Sequence, residues 1–345
     1  MTEQNTMKAV GLTRYLPIGH PESLVDINVD KPAAAGRDIL VKVQAISVNP
    51  IDTKVRAPKD QTEQVPRILG WDVCGIVEQA GEDCTLFKSG DEVYYAGTIN
   101  RPGGNSQYHV VDERIVGHKP KALDYAEAAA LPLTGITAWE ALHERLGIPT
   151  EQDANEGKAI LIIGAAGGVG SIATQLASQA GLTVIGTASR SETAEWSRRH
   201  GSTYLINHYQ PFMPQLMQFG LDSVQYILCL NATEQHWTHM AEVISPQGKI
   251  CSIVDAKDPL NLNVLKSKSA SFVWEFMFTK AMYKTADMIE QHHILNRIAE
   301  LVDSGDIETT MTERLAPINA ANLRLAHAKI EEGATIGKIV LENWD

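Results

Sequence analysis

The run Ala159-Ile160-Leu161-Ile162-Ile163-Gly164-Ala165-Ala166-Gly167-Gly168-Val169-Gly170 passes from an uninterrupted apolar segment into a glycine cluster, and Ser171-Ile172-Ala173-Thr174-Gln175-Leu176-Ala177 continues it with helical amphipathicity. Five consecutive large apolar residues read as a strand buried on both faces. Glycines let the backbone approach a bound pyrophosphate, and the positive N-terminus of the following helix stabilises that anion. A glycine triplet alone is a weak signal; here the strand before it and the helix after it supply the context it needs. Gly167, Gly168 and Val169 are therefore candidate phosphate contacts.

Moving downstream, residues 183–187 read as a second strand, and its tail bears on which dinucleotide is bound. An acidic residue about 20 positions past the glycines would bond a ribose 2′-hydroxyl. Thr187-Ala188-Ser189-Arg190 stands there instead, and a hydroxyl with a guanidinium fork suits a 2′-phosphate. Ser189 and Arg190 thus favour NADPH, with Glu192 read as a solvated residue at the start of a helix. Further alternation follows: strands at 223–230 and 249–254 around a helix near 235–243. That order predicts an α/β unit with a doubly wound parallel sheet. Its last strand is expected at 260–265, where Leu260, Leu262 and Val264 alternate. Helices are expected at 270–283 and 289–303, and a closing strand at 337–341.

Upstream, the first 130 or so residues have another character. The segments 7–10, 39–48, 73–81 and 88–95 read as strands of an antiparallel barrel, with Ser89-Gly90-Asp91 supplying turn chemistry. Helical segments follow at 125–130 and 137–142, on either side of a break at Pro132–Gly135.

Composition sets outer limits. Hydrophobic residues at 44% and charged residues at 21% of 345 exclude a disordered or fibrous chain. A net charge of −12, spread along the chain, argues against a nucleic-acid footprint. No apolar run is long enough to span a bilayer, and the polar start lacks a secretion-signal layout, so a cytoplasmic protein is expected. Cys74, Cys84, Cys229 and Cys251 are widely spaced and read as buried small hydrophobes.

Several of these pieces together carry a resemblance. Ser47-Val48-Asn49-Pro50-Ile51-Asp52, Leu131-Pro132-Leu133-Thr134-Gly135-Ile136-Thr137-Ala138, the glycine turn and Gly337-Lys338-Ile339-Val340-Leu341 resemble the medium-chain dehydrogenase/reductase superfamily, in its quinone-oxidoreductase (zeta-crystallin-like) branch. Ala188-Ser189-Arg190, the segment 246–252 and Ser271-Phe272-Val273-Trp274-Glu275-Phe276-Met277 are similar to its bacterial zinc-type alcohol dehydrogenase-like group. The resemblance implies a GroES-like β-barrel domain from residues 1–130 and 265–345, a Rossmann domain at 131–264, and an active site in the cleft between them. It implies that Asn49 faces the nicotinamide, and that Asp52 either orients a water or substrate group or only caps a helix. Thr134 and Thr137 would line the nicotinamide and phosphates; Cys229, Leu230 and Ile253 would flank ribose and ring. Lys338 would either reach the cofactor or be a plain surface lysine.

The resemblance also raises zinc, and the residues argue against it. A catalytic zinc takes roughly three protein ligands around an open position. No cysteine lies at 49–52, Gly70-Trp71-Asp72 stands where the family has Gly-His-Glu, and residues 96–110 hold none of the four cysteines of a structural site. His208, His236 and His239 read as polar surface residues. The expectation is a metal-free, NADPH-dependent reductase of a quinone, enone or related carbonyl. A zinc-dependent alcohol dehydrogenase and a non-catalytic NADPH-binding protein are the alternatives. Phe272, Trp274, Phe276 and Phe278 are expected on a helix, as core or dimer contact, and pairing of sheet edges predicts a homodimer, possibly doubled to a tetramer.

Overall fold

The change of character near residue 130 becomes a division into two units in the computed structural model, which describes residues 6–344. The polar start at residues 1–5 lies outside that description. One unit takes the chain up to Leu133 and again from Phe278; the other is Thr134–Met277. Among the described residues no helix is long and apolar enough to cross a membrane.

The first unit begins with β1 (Thr6–Tyr15), β2 (Val25–Asp30), β3 (Asp38–Val48), β4 (Lys59–Ile68), β5 (Val73–Ala80), β6 (Glu92–Tyr95), β7 (Tyr108–Asp112) and β8 (Gly117–His118). β1 pairs antiparallel with β2 on one side and β4 on the other, forming a small three-stranded sheet. β3 is the spine of the larger sheet and pairs antiparallel with both β5 and β7. Gly75 is required where β5 crosses β3, since an added Cβ would lie 2.3 Å from the Lys42 carbonyl oxygen.

In the second unit, β9 (Ala159–Ile163), β10 (Thr183–Thr187), β11 (Tyr204–Ile206), β12 (Val224–Cys229), β13 (Ile244–Ser252) and β14 (Ser271–Trp274) form one sheet in the order β11-β10-β9-β12-β13-β14. Every pair is parallel. All five residues of β9 are buried, as its unbroken apolar run requires. Leu161, Ile163, Ile185, Phe212, Ile227, Val243 and Ile250 belong to one core cluster here. Each such side chain contributes about 1.5–3 kcal/mol by leaving water. The strand order reverses between β9 and β12, the place where open α/β sheets bind ligands.

The end of this sheet corrects the sequence reading. Residues 260–265 are not a strand: Asn261 caps a 3₁₀ turn, Leu262–Lys268, in which Leu265 is buried while Leu262 and Val264 are exposed. The edge strand is β14, inside the segment expected to be helical, and the helix there is only Thr279–Tyr283. Phe272 packs edge-on against Trp237 at 5.3 Å, and Trp274 packs edge-on against Phe272 at 4.8 Å, so residues two apart share a face as they do in a strand. The chain consequently returns to the first unit at Phe278 rather than at residue 265. The expected break at Pro132–Gly135 is also absent: one helix runs Pro132–Trp139 with proline in its first turn, where no amide is needed, and a π-helical turn Glu140–Arg145 prolongs it.

Two late strands, β15 (Met311–Leu315) and β16 (Lys338–Glu342), complete the first unit. β16 lies between β15, to which it is parallel, and β3, to which it is antiparallel. The seven-stranded sheet so formed runs β15-β16-β3-β5-β6-β8, with β7 on β3.

Candidate functional site

In the second unit the glycine turn is built as the sequence demands. Gly164 leaves β9 with φ +89 and donates its amide to Thr187 Oγ1 at 3.0 Å. Gly170 closes the turn: a Cβ there would lie 2.2 Å from the Gly164 carbonyl oxygen. Gly167 caps the twelve-residue helix Gly168–Gln179, and Gly167, Gly168 and Val169 are all partly exposed. About three turns of aligned peptides thus begin in half-open amides, the electrostatic requirement for an anion.

The neighbouring strand ends meet the same edge. Ser189 and Arg190 are exposed just beyond β10, where Arg190 precedes the helix Ser191–Arg199 and its backbone is tied to Thr193 Oγ1. Glu192 sits exposed in that helix's first turn. On the other side, the Leu230 amide donates to the Ile163 carbonyl at 3.0 Å and the Ile253 amide to the Cys229 carbonyl at 3.3 Å. Gly164, Leu230 and Ile253 therefore stand at one level on three adjacent strands. Leu230 and Ile253 are half-buried, whereas the Cys229 thiol is turned inward onto the Asn231 carbonyl, and burial pushes it up to about 11. Cys229 can offer a ligand only its backbone. Thr134 and Thr137, at 2% and 4% exposure, are buried in their helix.

The remaining candidates meet in the first unit, around a residue the sequence reading did not single out. Asp72 Oδ2 accepts from Ser47 Oγ at 2.8 Å, Asn49 Nδ2 at 2.8 Å and Lys338 Nζ at 2.9 Å; its Oδ1 accepts from the Leu133 amide at 2.7 Å. Gly70, at φ +106, makes the bend that brings Trp71 and Asp72 inward; a Cβ there would collide with Asn105. Asn49 Nδ2 also donates to the Trp71 carbonyl, and Asn49 Oδ1 accepts from Lys338. Lys338 gives its third proton to the Val48 carbonyl at 3.1 Å. An ammonium has three donors, and all are spent. At 3% exposure Lys338 is a buried ion-pair partner, neither a surface lysine nor a side chain reaching outward.

Asp52 caps its helix through one carboxylate oxygen, while Oδ1 is buried without a hydrogen bond. Its Oδ2 accepts from the Asn49 amide at 2.7 Å, three residues back, capping the helix Pro50–Arg56. Burial pushes it up to about 7, opposed by that amide and by Lys338. Asn49 and Asp52 are each 1% exposed. Elsewhere in this unit a cavity of about 540 Å³ is lined by Arg37, Asp38, Arg101, Asp112, Arg114 and Lys284, and none of the candidates above faces it. In the second unit His236 corrects its surface reading: it is buried against Phe212 and His208, and burial pushes it down to about 4.

Comparison with known proteins agrees with this architecture. Residues 35–121 match the alcohol dehydrogenase GroES-like domain family, and residues 170–341 match the zinc-binding dehydrogenase family. A zinc-type alcohol dehydrogenase-like protein of Staphylococcus aureus (strain COL) is 43% identical over 335 residues, covering 97% of this chain and 99% of that protein. A crystal structure from Rhizobium etli CFN 42, described as a candidate zinc-dependent alcohol dehydrogenase, has TM-score 0.94 and 48% identity over 99% of both chains. Escherichia coli quinone oxidoreductase complexed with NADPH has TM-score 0.80 over 97% of this chain and 99% of that one; at 24% identity the likeness is one of fold.

Those names raise zinc again, and the donors present do not fit it. Trp71 has no lone pair to give and donates its Nε1 proton to the Thr98 carbonyl. Asp72 is saturated by four donors, one of them a cation that would repel a metal ion, and Asp52, with Oδ2 on its cap and Oδ1 unpartnered, is a single carboxylate where a metal needs about three ligands. Among the described residues no three His, Cys, Asp or Glu side chains are grouped to hold a metal.

Proposed function

Because the chain belongs to the medium-chain dehydrogenase/reductase superfamily, with its GroES-like and Rossmann-type parts and its zinc-type alcohol dehydrogenase-like relatives, we propose that it is a zinc-independent, NADPH-dependent reductase of a quinone, enone or related activated carbonyl. The observation that carries this reading is the saturated Asp72–Lys338 pair where a metal-dependent relative needs free ligands. Electron-poor acceptors take a hydride without a Lewis acid, so the protein's tasks are binding, orientation and exclusion of water. NADPH would supply the hydride.

The chain's own residues divide those tasks. Backbone amides of Gly167, Gly168 and Val169 bind the pyrophosphate, and Ser189 with Arg190 bind the 2′-phosphate. The backbones of Cys229, Leu230 and Ile253 form the shelf for ribose and ring, and the helix bearing Thr134 and Thr137 borders it. Asn49, Asp52 and Lys338 act as positioning residues, through Asp72 and the helix Pro50–Arg56. We assign the GroES-like domain to the first unit and the NADPH-binding domain to the second. The outward apolar edge at β14, with Trp274 48% and Phe276 45% exposed, supports a homodimer joined along that strand. Four unpaired cysteines support work in the reducing cytoplasm.

The test is NADPH oxidation by the purified protein against a panel of quinones and enones, with elemental analysis alongside. Turnover that survives EDTA, with less than stoichiometric zinc, is expected. Zinc-dependent alcohol oxidation would replace this reading with the first alternative, and tight NADPH binding without turnover would replace it with the second.

A further inference from the structure

The cavity of about 540 Å³ in the first unit is large enough for a small molecule, whose sites usually measure about 300–1,000 Å³. Its charged lining consists mostly of matched pairs. Arg101 holds Asp38 through two parallel bonds of 2.9 Å, and Arg114 holds Asp112 through Nε at 3.0 Å and Nη2 at 2.7 Å. Each of these guanidinium groups spends two of its five donors on its carboxylate and keeps the others for a further acceptor. Arg37 lies 2.6 Å from Glu113, a buried carboxylate outside the lining that also takes the Thr85 and Leu86 amides. Arg37 Nε is buried without an acceptor.

Three cations are thus balanced, and the fourth is not. Lys284 lines the same cavity from the left-handed position, φ +48, that ends the helix Thr279–Tyr283. Among the described residues no carboxylate pairs with its ammonium; Asp287, three positions on, lies 3.7 Å from Lys280 instead. His109, the remaining titratable group of the lining, adds no charge. Its ring bonds the Tyr95 hydroxyl and the Pro102 carbonyl, and burial pushes it down to about 4. A chain of net charge −12 therefore carries here a cavity with one cation in excess. Val111, Ile115 and Met288 add buried apolar surface to it.

This combination selects a class of ligand. A carboxylate brings the charge to balance and matches the planar N–H forks, whereas a phosphate dianion overshoots. An apolar body attached to that carboxylate covers the apolar part of the lining and displaces its water. We propose that the cavity binds a small organic carboxylate with an apolar body, and that Trp71 senses its occupancy. Two parts of the lining reach Trp71. The Thr98 carbonyl accepts the Trp71 Nε1 proton at 3.3 Å and the Arg101 amide at 3.3 Å. Phe278, the residue before the helix that carries Ala281, meets the Trp71 ring edge-on at 6.1 Å. A ligand drawn in by Arg101 and Lys284 therefore pulls on the turn Thr98–Arg101 and on that helix, both of which hold the indole beside Asp72.

The experiment is calorimetric titration of the full-length protein with hexanoate, hexanamide and inorganic phosphate. Hexanoate should bind saturably. Hexanamide, without the charge, and phosphate, without the apolar body, should bind roughly tenfold or more weakly. Lys284→Glu reverses the excess charge on an exposed side chain and should weaken hexanoate roughly tenfold or more. Ala35→Trp sets a bulky ring at an exposed position of the lining and should block hexanoate while keeping every charge. It serves alone if Lys284→Glu does not fold. No saturable hexanoate binding, equal binding of hexanamide, or wild-type affinity in either variant would overturn the site. Phosphate binding more tightly than hexanoate would overturn the ligand class.

Hexanoate should also change the tryptophan emission of the wild type, and Trp71→Phe should lose that change while calorimetric binding persists. No change in the wild type, or one that survives the substitution, would overturn the sensing role. These readouts need neither NADPH nor turnover, so their failure and that of the functional reading above are separate results.

Discussion

Replacing Asp72 with asparagine removes the carboxylate from a buried ammonium while barely changing side-chain volume. Lys338 would keep the Val48 carbonyl and Asn49 Oδ1 as acceptors, both neutral, and would face the new amide's own donors. Loss of one partner from a buried pair costs about 3–5 kcal/mol, because the other charge is left uncompensated. The position of Asp72 argues for the upper half of that range: Ser47, Asn49 and Leu133 all aim donors at it, and an asparagine matches them poorly. Lys338→Met should cost less, about 3 kcal/mol, since Asp72 would retain those three donors. The double variant Asp72→Asn/Lys338→Met carries no buried charge and should recover at least about 1 kcal/mol against the sum of the singles. Urea unfolding of the four forms gives the cycle directly. Single variants within about 1 kcal/mol of wild type, or a strictly additive double, would refute the argument that this pair is a coupled element of the first unit.

Three further outcomes are expected. Arg190→Ala should weaken NADPH binding roughly tenfold or more and leave NADH unchanged, as the loss of a charged hydrogen bond implies; calorimetry with both nucleotides checks it. Light scattering should give twice the chain mass of 37.7 kDa for wild type and a smaller species or aggregate for Trp274→Glu, which places a charge on the exposed edge strand; a wild-type species of single chain mass refutes the dimer. His327 is buried with neither ring nitrogen hydrogen-bonded, and burial pushes it down to about 3. Its contribution is therefore fully present above the unfolded value near 6.5 and declines as pH falls from there toward 3. His327→Leu should gain on wild type by about 1.4 kcal/mol per pH unit between pH 6.5 and 5, read from unfolding midpoints.

What could be read in advance followed the range of the signal. The strand, glycine turn and helix from Ala159 to Gln179 are neighbours in sequence, so composition and spacing revealed them, and the parallel order followed from their alternation. Residues 260–278 misled because short apolar runs fit several periods. Phe272, Trp274, Phe276 and Phe278 repeat every two residues, which is the strand period, yet the helical composition around them outweighed it. Leu262 and Val264 share that spacing but fall in a 3₁₀ turn, where only Leu265 turns inward. Asp72 stood out only through the resemblance, at the place of the Glu in Gly-His-Glu, and nothing in the sequence tied it to Lys338. An aspartate after a tryptophan is unremarkable until Lys338, 266 positions later, is brought to 2.9 Å from it.

The place of β16 has a consequence for how the chain is made. This strand lies between β15 and β3, so the larger sheet of the first unit lacks an interior member until residues 338–342 have left the ribosome. The second unit is one continuous segment and has no such dependence. During synthesis it is free to fold while the N-terminal strands wait, their Asp72 carboxylate still without its cation and a side of β3 still unpaired. A message that ends before codon 338 therefore yields a chain whose middle is sound and whose first part stays open, exposing a strand edge to proteases and to other nascent chains. Translation through β16 is in this way a checkpoint: Lys338 certifies that every strand of the first unit has been made.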